Sequence, residues 1–130
     1  MKMNKRRALL VLTSLIVTFI GLRLYLHMFP SSNFDVFGYN IHHLFTGLLM
    51  ITFGGLPLVL FEGNSRKLDV AAIVFGAGLS MALDEWVYLI VTDGSDLSYL
   101  LPVSYWGGVV MVGLAALFLV IMIQLYKKPE

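Results

Sequence analysis

Two pairs of adjacent polar residues, His42-His43 and Asp84-Glu85, lie within stretches that are otherwise apolar enough to cross a membrane. An acidic residue in the centre of a membrane helix costs about 2.5 to 3.5 kcal/mol on insertion scales, so two adjacent carboxylates require a partner or a chemical use. Imidazole nitrogens and carboxylate oxygens from different helices are the ligands with which helical bundles hold zinc, iron or manganese. The two pairs therefore predict a polar intramembrane site with a divalent metal as its candidate cofactor.

Four apolar spans must position these pairs. Of the 130 residues, 58% are hydrophobic and 13% are charged, and the mean hydropathy is +0.84. Each span is close to the roughly 20 residues that cross the hydrocarbon core. The spans cover residues 8–29, 41–61, 70–91 and 105–126, and Asn40 and Asp69 are the expected helix caps of the second and third. The composition predicts an all-α, four-helix transmembrane bundle that forms one domain over residues 1–130 and contacts membrane lipids.

Basic residues are distributed unevenly between the ends of these spans. All nine except Arg23 lie before the first span, between the second and third, or after the last. The other two connections, residues 30–40 and 92–104, contain no lysine or arginine. By the positive-inside rule, both termini are expected to be cytoplasmic and the chain to lie in the inner (plasma) membrane. Because topology explains the basic residues, no nucleic-acid partner is expected.

This orientation fixes the depth of the polar side chains. At 1.5 Å per helical residue, Arg23 and Asp84 lie about 22 Å above the cytoplasmic ends of their spans and Glu85 about 24 Å. His27 and His43 follow at about 27 to 28 Å. All five are therefore expected in one layer of the outer leaflet.

Small side chains indicate which face of each helix points into the bundle. The third span contains a strip at every fourth position, which lets another helix approach closely: Ala72, Gly76, Ser80 and Asp84. His43 and Gly47 share one face of the second span. Close packing of Gly47 against the third helix would bring His43 toward Asp84, so we expect Asp84 to point into the bundle.

Within this layer, His43 and Asp84 are the expected direct metal ligands. Adjacent residues point about 100° apart on a helix, so only one member of each pair is expected to touch the metal. The candidates for the remaining ligand positions are His42, Glu85 and His27. As an enzyme, the chain would be a metal-dependent hydrolase of a lipid-like substrate, with Glu85 as general base and Arg23 steadying an anionic headgroup or oxyanion.

Two other functions fit the same residues. In a non-catalytic small membrane subunit or a pH or metal sensor, Arg23 neutralises one carboxylate and the histidines form a proton-responsive network that fixes packing with a membrane-protein partner. The second carboxylate would then be protonated, pair with a protonated histidine or bind a cation. An ion transporter is the third function, and it would require a homo-oligomer because one four-helix protomer is small for alternating access.

Two strings of the chain resemble a known pattern. IHHLFTGLL in the second span and GAGLSMALDEWVYLI in the third are similar to segments of small uncharacterised prokaryotic four-helix integral membrane proteins. Their shared pattern is His-His, a glycine four residues after the second histidine, and a Gly-rich helix ending in Leu-Asp-Glu. The resemblance covers two of the four spans. It implies a shared site at His42, His43, Gly47, Asp84 and Glu85, and it implies no particular activity.

Overall fold

Long helices dominate the computed structural model of the chain, which describes residues 2–126. In chain order the helices are α1 (Lys5–Met28), α2 (His43–Leu60), α3 (Arg66–Asp84), α4 (Trp86–Val91), α5 (Asp96–Tyr99) and α6 (Pro102–Leu125). α4 continues α3 after a break at one residue. Four segments of the described chain are long and apolar enough to cross a membrane: α1, α2, α3 with α4, and α6. The prediction of an all-helical protein with four candidate spans is confirmed.

The two helix caps expected from the sequence are wrong. Asn40 belongs to a strand, and α2 begins at His43 with no side-chain cap of its own. α3 begins at Arg66 because Ser65 Oγ accepts the Lys67 N–H at 3.1 Å. Asp69 therefore lies within the first turn of α3, where its negative charge is favourable next to the helix N-terminus.

α3 is the central helix of the bundle. Eight of its 19 residues are buried, compared with two each in α1 and α2 and three in α6. Glycine allows this contact: a methyl group at Gly47 of α2 would lie 2.5 Å from the Gly78 carbonyl oxygen, and one at Gly76 would lie 2.6 Å from the Val11 carbonyl oxygen of α1. α1 thus contacts the predicted small-residue strip at Gly76, and Gly47 of α2 packs against α3 as predicted, but at Gly78, which lies outside the strip.

The ends of the bundle differ in charge and structure. The basic end carries Lys5, Arg6, Arg7, Arg66 and Lys67. The other end, called the hairpin end here, carries the connections 29–42 and 92–101. The first connection forms a two-stranded antiparallel hairpin, β1 (Asp35–Val36) and β2 (Tyr39–Asn40), and the second contains α5. The hairpin and α5 were not expected from the sequence.

Large apolar side chains are mostly exposed on the outside of the helices. Examples on α1, α2 and α6 are Val17, Phe53 and Phe118, whereas buried side chains are mainly small or polar. This distribution is the reverse of that in a water-soluble bundle and is typical of helices that face lipid.

Candidate functional site

A break in the third span separates the two acidic residues. α3 ends at Asp84, Glu85 has φ −98° and ψ 0°, and α4 begins at Trp86. This backbone conformation lies outside the α-helical region, so the side chains of Asp84 and Glu85 diverge more freely than on a regular helix. Asp84 contacts α1, α2 and α5, whereas Glu85 contacts the first turn of α2.

Asp84 is fully buried, and both of its carboxylate oxygens accept hydrogen bonds. Oδ1 accepts from Arg23 Nε at 2.7 Å. Oδ2 lies 2.8 Å from His43 Nε2 and also accepts the Tyr99 hydroxyl. A buried carboxylate is stable when a cation and further donors satisfy it. Asp84 therefore has a complete set of partners within the protein.

Arg23 connects four helices through its guanidinium. Besides Asp84 on α3, it donates to the Tyr99 carbonyl of α5 at 3.0 Å and to the Ser104 carbonyl of α6 at 2.9 Å. Its Cζ atom also lies 4.0 Å from the centre of the Tyr99 ring, a cation–π distance. α6 approaches this pair so closely that a methyl at Gly108 would lie 2.6 Å from Asp84 Oδ1. The guanidinium fixes α1, α3, α5 and α6 at one level.

Glu85 has different partners from its neighbour. Its side chain is almost fully buried, and Oε1 accepts the Leu44 N–H at 2.7 Å. Because His42 provides no side-chain cap, Glu85 takes that role for α2 from another helix. The nearest side-chain nitrogens are His42 Nδ1, 3.5 Å from Oε2, and His43 Nδ1, 3.7 Å from Oε1. Within residues 2–126, no lysine or arginine forms an ion pair with Glu85.

Two buried tyrosines hold the imidazoles in place. The edge-to-face contacts are His42 with Tyr88, at 5.8 Å between ring centres, and His43 with Tyr99, at 5.5 Å. Tyr88 donates its hydroxyl to the Ser95 carbonyl at 3.0 Å. Burial, and then the nearby Asp84 carboxylate, raise the pKa of Tyr99, so its hydroxyl stays protonated and donates to Asp84. The connection 92–101 thus completes the site.

A cavity of about 290 Å³ adjoins this network at the hairpin end. Its histidine and carboxylate lining consists of His42, His43, Glu85 and Asp96, and the connection 29–42 forms one wall. Protons and small solutes therefore have a space beside the two imidazoles and the Glu85 carboxylate.

Of the six candidate residues, five come together and one does not. Arg23, His43 and Asp84 are in direct contact, and His42 and Glu85 adjoin them. His27 is exposed and lines a different groove, between α1 and α6, which it shares with Arg23.

Sequence reasoning missed Tyr99, Ser104 and Asp96 as site residues. The available signal for Tyr99 and Asp96 was the Ser95-Asp96 pair, which is typical of a helix start, and Ser95 does cap α5 by accepting the Ser98 N–H. Ser104 has no comparable signal because its role depends on the packing of α6.

The donor set does not fit a metal in this arrangement. Within the described residues, no group of three histidine or acidic side chains is placed to hold a metal ion. His43 Nε2 and Asp84 Oδ2 bind each other, and the second Asp84 oxygen binds Arg23. Binding of a metal by Asp84 and His43 stays a prediction that requires these contacts to be replaced.

Comparison with known proteins gives no match: no protein-family model, curated protein or solved structure matches the chain. The resemblance of the two strings to small prokaryotic membrane proteins therefore stays a prediction.

Proposed function

We propose that the chain is a non-catalytic membrane protein that responds to pH through the contact between α2 and the break after α3. One asymmetry carries the proposal. Asp84 is paired with the permanent cation Arg23, whereas within residues 2–126 the side chains that can give the buried Glu85 a positive counter-charge are His42 and His43. Imidazole is the side chain whose charge ordinarily changes between about pH 5 and 8. The charge opposite Glu85 therefore depends on proton uptake.

As long as both carboxylates are ionised, the network has an unbalanced charge until one imidazole binds a proton. With both imidazoles neutral, the positive charge of Arg23 cancels one of the two carboxylates and leaves one negative charge. One proton on His42 or His43 makes the network neutral. A buried charge without a counter-charge is costly, so the proton is strongly coupled to the packing around Glu85.

Proton binding acts on the junction between two spans. Both imidazoles lie at the start of α2, and Glu85 already accepts the Leu44 N–H from the same helix turn. A protonated imidazole adds attraction between this turn and Glu85. Loss of the proton leaves the Leu44 hydrogen bond and the helix dipole as the remaining attraction. The start of α2 is thus held more closely to α4 in acid than in alkali.

The proposed orientation puts both termini in the cytoplasm and the hairpin end outside, in the plasma membrane. Lys5, Arg6, Arg7, Arg66 and Lys67 at the opposite end support it under the positive-inside rule. His42 and His43 line a cavity at the hairpin end. In this orientation the stimulus is the pH outside the cell, and the output is the packing of α2 against a membrane-protein partner or a second copy.

The hydrolase function has less support in this geometry. Its expected general base, Glu85, has one oxygen bound to the Leu44 N–H, and its expected ligand Asp84 has both oxygens bound within the protein. The sensor function does not require Asp84 or Glu85 to give up these hydrogen bonds.

Tryptophan fluorescence tests the proposal. Replacing Trp106 by Phe leaves Trp86, which follows Glu85 directly, as the one tryptophan. Its emission should change between about pH 5 and 8, and the double variant His42→Gln, His43→Gln should lose the change. His27→Gln is the matched control because His27 is exposed and outside the network. A flat emission profile in the parent, or equal loss in His27→Gln, would contradict the proposal.

A further inference from the structure

The cavity at the hairpin end has the size of a small-molecule site. Its volume of about 290 Å³ is at the lower limit of about 300 Å³ for typical ligand pockets. Its walls come from the end of α1, the connection 29–42, the start of α2, the break after α3, and α5. A single metal ion would leave most of this space unfilled.

The charges that line the cavity favour a cation. Glu85 is 2% exposed, and Oε2 accepts no hydrogen bond from residues 2–126; the closest side-chain nitrogen is His42 Nδ1 at 3.5 Å. Asp96 also lines the cavity, and its Oδ2 accepts Asn33 Nδ2 at 3.1 Å. Among the described lining residues there are two carboxylates and no lysine or arginine. A nearly fully buried carboxylate, one oxygen of which accepts no hydrogen bond from the described residues, thus borders a space large enough for a ligand.

Aromatic side chains indicate which kind of cation fits. Tyr25, Phe34, Tyr88 and Tyr99 line the cavity together with aliphatic side chains. Aromatic rings beside a carboxylate are the typical surroundings of an organic ammonium ion, whereas metal ions require several oxygen or nitrogen ligands. Tyr99 already binds one cation through its ring, the Arg23 guanidinium at 4.0 Å.

We propose that this cavity binds a small organic ammonium ion, whose positive charge lies beside the Glu85 carboxylate and against the aromatic wall. The inference rests on the proposed function, because both depend on the charge of Glu85.

Titration calorimetry with choline chloride tests the inference on the full chain in dodecyl maltoside, a detergent without an ammonium group. The neutral isostere 3,3-dimethylbutan-1-ol should bind at least about tenfold more weakly, since it lacks the charge. Asp96→Asn and Phe34→Leu should each weaken choline binding about threefold or more, because one removes a lining charge and the other an aromatic wall. Neither residue contacts Asp84 or Glu85 through a hydrogen bond or an ion pair. Asp35→Asn is the matched control, since this exposed carboxylate lies in β1 and does not line the cavity.

The outcomes separate this inference from the proposed function. If choline fails to bind at millimolar concentration while the Trp86 response to pH persists, the ammonium site is wrong and the sensor stands. If both are absent, both proposals fail. If Asp35→Asn weakens choline as much as Asp96→Asn does, the effect is general surface charge and the site is wrong. Binding of zinc chloride in place of choline, with loss in Asp96→Asn, would also overturn the ammonium assignment in favour of a metal.

Discussion

Arginine–aspartate contacts join α1 to α3 at both ends of the bundle, and they differ mainly in burial. At the basic end, Arg6 Nη2 lies 3.0 Å from Asp69 Oδ2, and the side chains of Arg6 and Asp69 are 78% and 15% exposed. At the hairpin end, Arg23 Nε lies 2.7 Å from Asp84 Oδ1, and the side chains of Arg23 and Asp84 are 10% and 0% exposed. Water can replace the partner of an exposed ion. It cannot do so for Asp84, so the buried pair has to be complete within the protein.

The comparison gives the two ends different roles. An exposed ion pair contributes about 0 to 1 kcal/mol, whereas breaking a buried one costs about 3 to 5 kcal/mol. The exposed ion pair at the basic end therefore contributes little to stability. The hairpin end holds buried charges on which stability depends, and among residues 2–126 no lysine or arginine pairs with Glu85.

The largest expected effect comes from removing the buried cation. Arg23→Ala leaves Asp84 buried with His43 and Tyr99 as its remaining partners, and it should lower the free energy of unfolding by about 3 to 5 kcal/mol. Arg6→Ala, the matched change at the basic end, should lower it by about 1 kcal/mol or less. Denaturant unfolding in detergent measures both. Equal losses of unfolding free energy in the two variants would contradict the difference between the buried and the exposed ion pair.

A smaller effect is expected from the packing of α2 against α3. Gly47→Leu forces a side chain against the α3 backbone and should destabilise the fold by about 1 to 3 kcal/mol. Gly113→Leu in α6 is the control, because nothing lies within 4 Å of a methyl group there. Thermal unfolding of the two variants decides whether α2 and α3 need this contact. Similar melting temperatures for both would show that they do not.

A local effect is expected in the connection between α4 and α5. Asp93 is fully exposed, yet the Ser98 hydroxyl, and then the Ser95 backbone N–H, lower the pKa of its carboxyl from 3.8 to about 2. Because the pKa of Asp93 is lower in the folded protein, its ionised carboxylate stabilises the connection at any pH above the ordinary pKa of 3.8. This stabilisation is lost as the pH falls through the folded pKa of about 2. The Ser95 amide resonance should therefore move between about pH 4 and 2. Asp93→Asn should abolish this movement, and Asp35→Asn should leave it unchanged.

No effect is expected from a chelator. Asp84 already accepts hydrogen bonds from Arg23, His43 and Tyr99, so the melting temperature should be the same with and without EDTA. Elemental analysis of the purified protein complements this test. One equivalent of zinc, iron or manganese, lost in Asp84→Ala and in His43→Ala, would contradict the account and favour the metal-dependent hydrolase.

Local patterns were sufficient to predict the scaffold and one contact of the site. Hydropathy predicts the four spans because every helix that crosses a membrane needs a similar length and a mainly apolar composition. The small-residue strip predicted that Asp84 points into the bundle, and Gly47 predicted the approach of His43, because close helix contact requires small residues.

Contacts between distant connections were not predictable in the same way. Tyr99 binds Asp84 only because α5 folds over the bundle, and the break at Glu85 has no glycine or proline to mark it. Asp69 was expected to cap a helix, and it pairs with Arg6 instead because Ser65 starts α3 one turn earlier. The same packing determines that Arg23 pairs with Asp84 and not with Glu85. The proposed function depends on this difference between the two carboxylates.

The most direct test of this difference between Asp84 and Glu85 is to follow the histidine ring nitrogens by ¹⁵N NMR as a function of pH in detergent micelles. The account predicts that the ring-nitrogen resonances of His42 or His43 respond to pH and that Glu85→Gln changes this response, because the opposing negative charge is gone. His27→Gln should leave the response of His42 and His43 unchanged. If Glu85→Gln has no effect on either ring, the imidazoles do not compensate Glu85 and the central claim is contradicted.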